Sequence, residues 1–326
     1  MNKVFKQSIK QSNLQTQQNK KQIRDFKKIL CINKDLNYDW IDVEFDFSII
    51  FSTSKGVFIL DAVNKVFKQI LSGKFYGITK HQGYWYFARL GTEGKRDFPI
   101  NNRVSEIYFG EILGHEILDL QIALYGIPAE VHQIDSIMGC LTFPHTGYNQ
   151  ILNISYSKIQ KAEKPLKIED CNSIELNLNP HSHLNSIFYQ NNTMYFIAHN
   201  YTMKTNKMSD LIKYDLRTKQ QEVICLDAHS AHNIHVDNKN NLLYCDSNNK
   251  KLVKNNKVLF ERDKLLRGLL VTDKNIFVGG SDICFKSDRR FSNNPSIYLL
   301  NLEGDLVNEF EFEALGDIYE IRQFKV

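Results

Sequence analysis

Apolar and polar residues alternate along this chain in short runs, and helical spacing is weak outside residues 12–30. Residues 183–200, HLNSIFYQNNTMYFIAHN, show the pattern. A period of two on either side of a polar turn predicts two half-buried strands joined as a hairpin. The same order recurs in WIDVEFDFSIIFSTSKG from Trp40, FYGITKHQGYWYFARLG from Phe75 and AEVHQIDSIMGCLTFPHTG from Ala129. It recurs again in SAHNIHVDNKNNLLYCDSNNK from Ser230 and LLRGLLVTDKNIFVGGSD from Leu265. Further strand-like runs follow the hairpins, such as GVFILDA then KVFKQIL, and PSIYLLNL then LVNEFEF. A repeated unit of about four short strands is the sequence mark of a propeller blade. Six units predict an all-β fold, a six-bladed β-propeller over residues 34–326. The run DIYEIRQF (317–324) resembles the first strand of a unit without its hairpin, and is expected to close the ring on the N-terminal blade. A seventh, incomplete blade built from both termini is the alternative.

Composition supports strands and a packed core. Hydrophobic residues make up 42% of the 326, with 21 Phe and 15 Tyr against 6 Pro. Aromatic and β-branched residues fit a pleated, half-buried surface. The net charge is +4, and much of the excess lies in residues 1–33. There Lys3, Lys6, Lys10, Lys20, Lys21, Arg24, Lys27 and Lys28 face the single acid Asp25. This Gln/Asn-rich segment reads as a disordered or helical tail. The near-neutral body argues against a nucleic-acid partner. No apolar run approaches a membrane span and no signal-peptide core is evident, so no membrane partner and a cytoplasmic setting are expected. The six cysteines form no CxxC pair and read as free thiols.

The repeat assigns the histidines a place. In a blade the innermost strand lines the channel, and its start shares a face of the disc with the end of the second strand. Aligning the first strands gives a channel-facing column of Tyr76, His132, Asn185, His232, Arg267 and Tyr319. Two residues earlier, on the same strand face, stand Glu130, His183 and Ser230. Second strands end at His145 and His199. Seven of the ten histidines (His132, His145, His181, His183, His199, His229 and His232) are thus expected round one mouth. His81, His115 and His235 fall elsewhere.

Neutral imidazoles beside a carboxylate are ligands for Zn, Fe or Mn. His132, His183 and His232 are the candidate metal ligands, with Glu130 and Arg267 as catalytic candidates. Arg267 suits a carboxylate or phosphate. Tyr76, Asn185, His145, His199, Asn233 and Tyr319 are candidate ligand-binding residues. His and Asn at strand starts also bond loop backbone and stiffen blade junctions. The sequence has no GxSxG, P-loop, GxGxxG after a strand, or HExxH, so no nucleotide cofactor is expected.

The strings EVHQID, HLNSI with FIAHN, AHNI with LLYCDS, LLRGLLV and the closing IYEIRQF resemble a family of bacterial six-bladed propellers. That family resembles the wider NHL/gluconolactonase-like propeller superfamily. The resemblance spans roughly residues 40–326 and implies the fold. In the gluconolactonase-like group the channel metal is held mainly by acid and Asn side chains, whereas this column is richer in His. Two functions follow as expectations. One is a metal-dependent hydrolase, lactonase or oxidase acting on a small polar or anionic molecule. The other is a non-catalytic propeller that binds a peptide, sugar or protein partner on the same face.

Overall fold

The computed structural model describes residues 30–40, 46–90, 104–128, 130–146, 148–179, 182–282 and 292–325. It opens with β1 (Cys31–Asp35), β2 (Ser48–Thr53), β3 (Gly56–Asp61) and β4 (Val66–Ser72). Five sets of four strands follow. Blade 1 is β5 (Phe75–His81), β6 (Tyr84–Leu90), β7 (Val104–Leu113) and β8 (Glu116–Pro128). Blade 2 is β9 (Asp135–Ile137), β10 (Cys140–His145), β11 (Gln150–Ser155) and β12 (Asn172–Glu175). Blade 3 is β13 (Leu184–Gln190), β14 (Thr193–Ala198), β15 (Asp210–Asp215) and β16 (Gln221–Cys225). Blade 4 is β17 (Ala231–Val236), β18 (Leu242–Asp246), β19 (Lys251–Lys254) and β20 (Lys257–Glu261). Blade 5 is β21 (Leu265–Val271), β22 (Asn275–Ser281), β23 (Ser296–Asn301) and β24 (Leu306–Glu311), and β25 (Ile318–Gln323) ends the chain.

The sixth sheet runs β1-β4-β3-β2-β25. The last strand is therefore the innermost of a blade whose other strands come from the beginning of the chain. Its pairing with β2 extends from Ile49↔Gln323 to Thr53↔Ile318. The ring has six blades and closes through both ends of the chain, the arrangement the terminal IYEIRQF predicts. Pairing the two ends abolishes the seam that an open ring would leave as unpaired strand edges. The outer edge of this blade, β1, lies on residues that the sequence places at the end of the tail, and Leu30 beside it is buried. Residues 1–29, which carry the basic tail, lie outside the described residues. Among the described residues no helix is long and apolar enough to cross a membrane.

Local sequence explains the blades. The inner hairpins of blades 1, 2 and 3 turn on Gln82-Gly83, Met138-Gly139 and Asn191-Asn192, all with positive φ. Two consecutive positive φ values make the turn whose twist matches flanking strands. Apolar residues of each blade pack against the next blade. The seam between blades 5 and 6 is an aromatic wedge in which Phe51 stacks on Phe58 at 5.4 Å and Phe47 meets Phe310 at 5.0 Å. Each fully buried Phe contributes about 2–3 kcal/mol from area alone.

A buried hydroxyl latches every blade junction. Ser52 Oγ donates to the Tyr76 carbonyl (2.5 Å), Thr146 Oγ1 to the Leu184 carbonyl (2.8 Å) and Ser247 Oγ to the Leu266 carbonyl (2.7 Å). At the other three junctions Ser105, Ser209 and Ser281 accept from the N–H groups of Val131 (3.1 Å), Ala231 (2.9 Å) and Ile318 (3.0 Å). All six partners lie on, or just before, the innermost strand of the next blade. The latches fix the ring of strand starts from which the channel mouth is built.

Those strands also carry bulges. One residue more stands on the inner strand than on its partner between Phe75 and Ile78, Leu184 and Ser186, His232 and Ile234, Arg267 and Leu269, and Ile318 and Glu320. A bulge breaks strict alternation and re-aims side chains. Two consecutive residues can therefore face the channel.

Candidate functional site

All six residues of the predicted column line one cavity: Tyr76, His132, Asn185, His232, Arg267 and Tyr319. Through the bulges Ser186, Asn233 and Glu320 line it too, and so does Gln133 from the segment ahead of β9. The cavity holds ≈ 20 Å³. That is room for about one water, so a substrate larger than this meets the mouth and not the channel beneath it.

Aromatic rings form a belt round the mouth. Centroid distances run 4.5 Å from Tyr319 to Tyr76, 4.7 Å to His132 and 5.1 Å on to His183. They continue 3.9 Å to His199 and 5.5 Å to His232. Arg267, on the blade between His232 and Tyr319, completes the circuit. The belt joins residues from blades 1, 2, 3, 4 and 6 that no sequence spacing connects.

The ligand atoms of Glu130, His132 and His183 lie within 4.8 Å of one another, and all three residues are buried. His132 Nε2 is buried with no hydrogen bond and stands 3.3 Å from Glu130 Oε2. A lone imidazole nitrogen beside a carboxylate is costly unless something else satisfies it. His183 sits at φ 50°, in the left-handed region, immediately before β13. Its Nδ1 meets Tyr201 Oη at 2.7 Å. With Tyr201 accepting from Nδ1–H, Nε2 of His183 carries the lone pair that ligation needs.

Hydrogen bonds fix the other two imidazoles differently. His232 Nδ1 donates to the Ser230 carbonyl (2.7 Å) and approaches Ser247 Oγ (3.0 Å), whose own proton goes to Leu266. Its Nε2 therefore holds a lone pair. The Tyr201 N–H donates to His199 Nδ1 (3.0 Å). His199 then carries its proton on Nε2, which makes it a hydrogen-bond donor and not a ligand. Tyr201 thus serves His183 through its hydroxyl and His199 through its backbone. It does so from a left-handed backbone, with φ 52° at Asn200 and 49° at Tyr201. Asn200 Nδ2 holds that turn by donating to the Met208 carbonyl (2.7 Å) and Asp210 Oδ2 (2.8 Å).

Burial, reinforced by positive neighbours, keeps these imidazoles neutral. It is the first cause of lowered basicity at His132, His183, His199 and His232, and it carries His199 down to about 3. The Arg267 charge adds to the effect at all four. Neutral imidazole is the form that binds metal.

Beneath the belt the channel is plugged by polar groups. Gln133 Nε2 donates to Glu320 Oε1 (3.3 Å) and its Oε1 accepts from the Ile187 N–H (3.0 Å). Asn233 Nδ2 donates to Glu320 Oε2 (3.2 Å) and the Tyr319 carbonyl (3.3 Å), while its Oδ1 accepts from the Gly268 N–H (2.8 Å). Arg322 Nε stands 2.9 Å from Glu320 Oε1. Asn185 Nδ2 donates to the Ala231 carbonyl (2.9 Å) and its Oδ1 accepts from Ser186 (2.8 Å). Asn185 and Asn233 reach the cavity, but their side chains tie blades together.

His145 stands apart from the belt. Its Nε2 donates to the Pro128 carbonyl (2.7 Å), and its ring stacks on Tyr148 at 4.3 Å. His229 lies beside Asp246, which takes its backbone N–H (2.8 Å), and His181 lies outside the described residues. The three histidines expected elsewhere pack elsewhere. His81 stacks on Tyr156 at 3.8 Å, His115 pairs with Asp61 at 2.7 Å, and His235 contacts Phe188 at 5.0 Å. Sequence reading misses Tyr201, Gln133, Glu320 and Arg322. The run HNYTMKT after β14 offers only a polar loop, Gln133 lies ahead of β9, and Glu320 and Arg322 need the bulge between Ile318 and Glu320 to be seen.

No protein-family model matches the chain, and no curated protein matches its sequence. Solved structures do align with it. One is a chain in the crystal structure of a nidogen/laminin complex, with 10% identity, 84% of this chain and 97% of that chain covered, and a TM-score of 0.61. Another is a protein of unknown function from Bacteroides caccae, with 11% identity, 85% and 98% coverage and a TM-score of 0.54. A third is the periplasmic gluconolactonase of Pseudomonas aeruginosa, with 10% identity, 85% and 98% coverage and a TM-score of 0.49. At such identities the likeness concerns the fold alone: the chain is a six-bladed β-propeller.

Proposed function

We propose that this protein is a metal-dependent enzyme that acts on a small polar or anionic molecule at the belted mouth of its channel. The observation that carries the reading is the convergence of Glu130, His132 and His183, with His132 Nε2 left without a hydrogen bond. Two imidazoles and a carboxylate suit Zn, Fe or Mn, and His232 Nε2 stands ready as a further ligand or proton acceptor. When bound, the ion supplies Lewis-acid polarisation of a substrate oxygen.

The chain's own groups supply the rest. His199 Nε2–H is a fixed donor for a developing negative oxygen. Tyr201 orients both neighbouring imidazoles. The plug below the belt leaves the substrate only the mouth. A donor for an oxyanion beside a two-His, one-carboxylate set favours hydrolysis, including lactone opening, over oxidation.

The test is a panel of small esters, lactones and phosphate esters assayed with chelator-stripped and metal-reloaded protein. Activity that returns on reloading, and is absent in Glu130→Gln and His132→Ala, is expected. Activity indifferent to chelation and to both variants overturns the reading. The second reading is a non-catalytic propeller that binds a protein, peptide or sugar on the same face. Tyr148, exposed at the rim over His145, favours it. That reading predicts an empty activity panel together with ligand binding that Tyr148→Ala weakens.

A further inference from the structure

The belt has a cationic side that the metal ligands do not use. Lys74, which precedes β5, places Nζ 4.9 Å from the ring centre of Tyr76 and 5.7 Å from that of Tyr319. These two rings touch each other at 4.5 Å and belong to the belt. Arg267 lines the same cavity as both tyrosines. Lys74 and Arg267 therefore flank one pair of phenol rings, on the side of the mouth held by blades 1, 5 and 6. Glu130 and His183, by contrast, come from blades 2 and 3.

Besides their mutual effects, the four imidazoles all feel the charge of Arg267, three of them (His132, His183 and His199) feel Glu130, and His132 also feels Lys74. Deeper in the channel, Glu320 is engaged by Arg322, Gln133 and Asn233. Two cations thus face the mouth from one side against the single carboxylate of Glu130, and a divalent ion on Glu130 makes the mouth more positive still. A concave mouth of one sign concentrates ligands of the other.

We propose that Lys74 and Arg267 form a subsite for the oxyanion group of the ligand, a carboxylate or a phosphate, seated over Tyr76 and Tyr319 and opposite the Glu130–His132–His183 set. Arg267 offers a planar fork to two oxygens, and Lys74 a compact charge that the tyrosine faces help to hold. The ligand is then a small molecule with its anionic group at one end and its reacting oxygen across the mouth. This deepens the proposed function and rests on it for the position of the reacting centre.

The test is isothermal titration of the full chain with inorganic phosphate and, separately, with acetate. Chelator-stripped wild type, Lys74→Gln, Arg267→Gln and His132→Ala/His183→Ala are compared, and Zn(II) affinity is measured for each. At least one of the two anions is expected to bind wild type, about tenfold more weakly in each cation variant. The tighter anion identifies the group the subsite takes. Zn(II) affinity in the cation variants is expected to stay equal or rise, because a repelling charge has gone. Anion binding that survives in His132→Ala/His183→Ala, with Zn(II) binding absent throughout, upholds the subsite while overturning the metal reading. No binding of either anion to wild type, or binding that neither cation variant weakens, overturns the subsite.

Discussion

Replacing Tyr201 by Phe removes one oxygen atom and separates two roles of a single residue. The lost hydroxyl is the partner of His183 Nδ1 at 2.7 Å. The ring remains, edge-on to His183 at 4.5 Å and to His199 at 5.2 Å. So does the backbone N–H that fixes the His199 tautomer. Phe meets the left-handed backbone at this position as Tyr does, so the exchange adds no new strain. What changes is the orientation and tautomer of His183. Loss of such an outer partner typically costs 10- to 100-fold in metal affinity, or about 1.4–2.7 kcal/mol. Global stability is expected to move by less than about 1 kcal/mol, the net worth of one hydrogen bond. The assay is competition between the protein and a chromophoric chelator for Zn(II), with the denaturation midpoint measured alongside. Unchanged Zn(II) affinity in Tyr201→Phe would refute the assignment of Tyr201 as the residue that orients His183. A parallel loss of affinity and fold stability would show that Tyr201 acts through the fold.

Other variants probe the plug and the latches. Asn233→Ala deletes bonds to the Gly268 N–H, the Tyr319 carbonyl and Glu320, and leaves buried partners unsatisfied. A loss of roughly 3–5 kcal/mol in denaturant unfolding is expected, and a loss under about 1 kcal/mol contradicts the clamp role. Glu320 is raised to about 8, first by burial, with Arg322 opposing. A carboxyl with a raised folded-state value contributes stability that is full below its ordinary range and is lost as pH rises through 8. Wild type is therefore expected to lose stability relative to Glu320→Gln between pH 5 and pH 9. The opposite trend in denaturation midpoints would mean that the ionised pair with Arg322 prevails. Ser247→Ala removes the latch between blades 4 and 5 and an acceptor of His232 Nδ1. About 1–2 kcal/mol of stability should go, and an unchanged midpoint contradicts the latch.

The fold was legible because the repeat is written in the most readable signals, period-two alternation and turn chemistry. Ring closure was legible because IYEIRQF lacks a hairpin of its own. The belt followed from placing equivalent residues of each blade at one height, so His132, His232, Arg267 and the two tyrosines fell together. Alternation then concealed the layer beneath. Asn233 and Glu320 each follow a column residue directly and belong on the opposite strand face, until the bulges re-aim them, and Gln133 follows His132 in a segment that is not yet strand. Strand direction gives the face of the disc on which a side chain emerges and not its distance from the axis. Hence His199, folded back beside His183 by the Asn200–Tyr201 turn, reaches the belt. His145 emerges on the same face and spends its Nε2 on Pro128. Tyr201 lies in a loop whose geometry depends on Asn200 and Asp210, and no periodicity reports such a contact.

The central claim is most directly tested by metal stoichiometry. Elemental analysis of the purified protein, after equilibration with Zn(II) and removal of excess, is compared for wild type and His132→Ala/His183→Ala. One ion per chain in wild type and none in the variant is the predicted result. An ion that survives in the variant, or none in either protein, contradicts a metal centre at Glu130, His132 and His183.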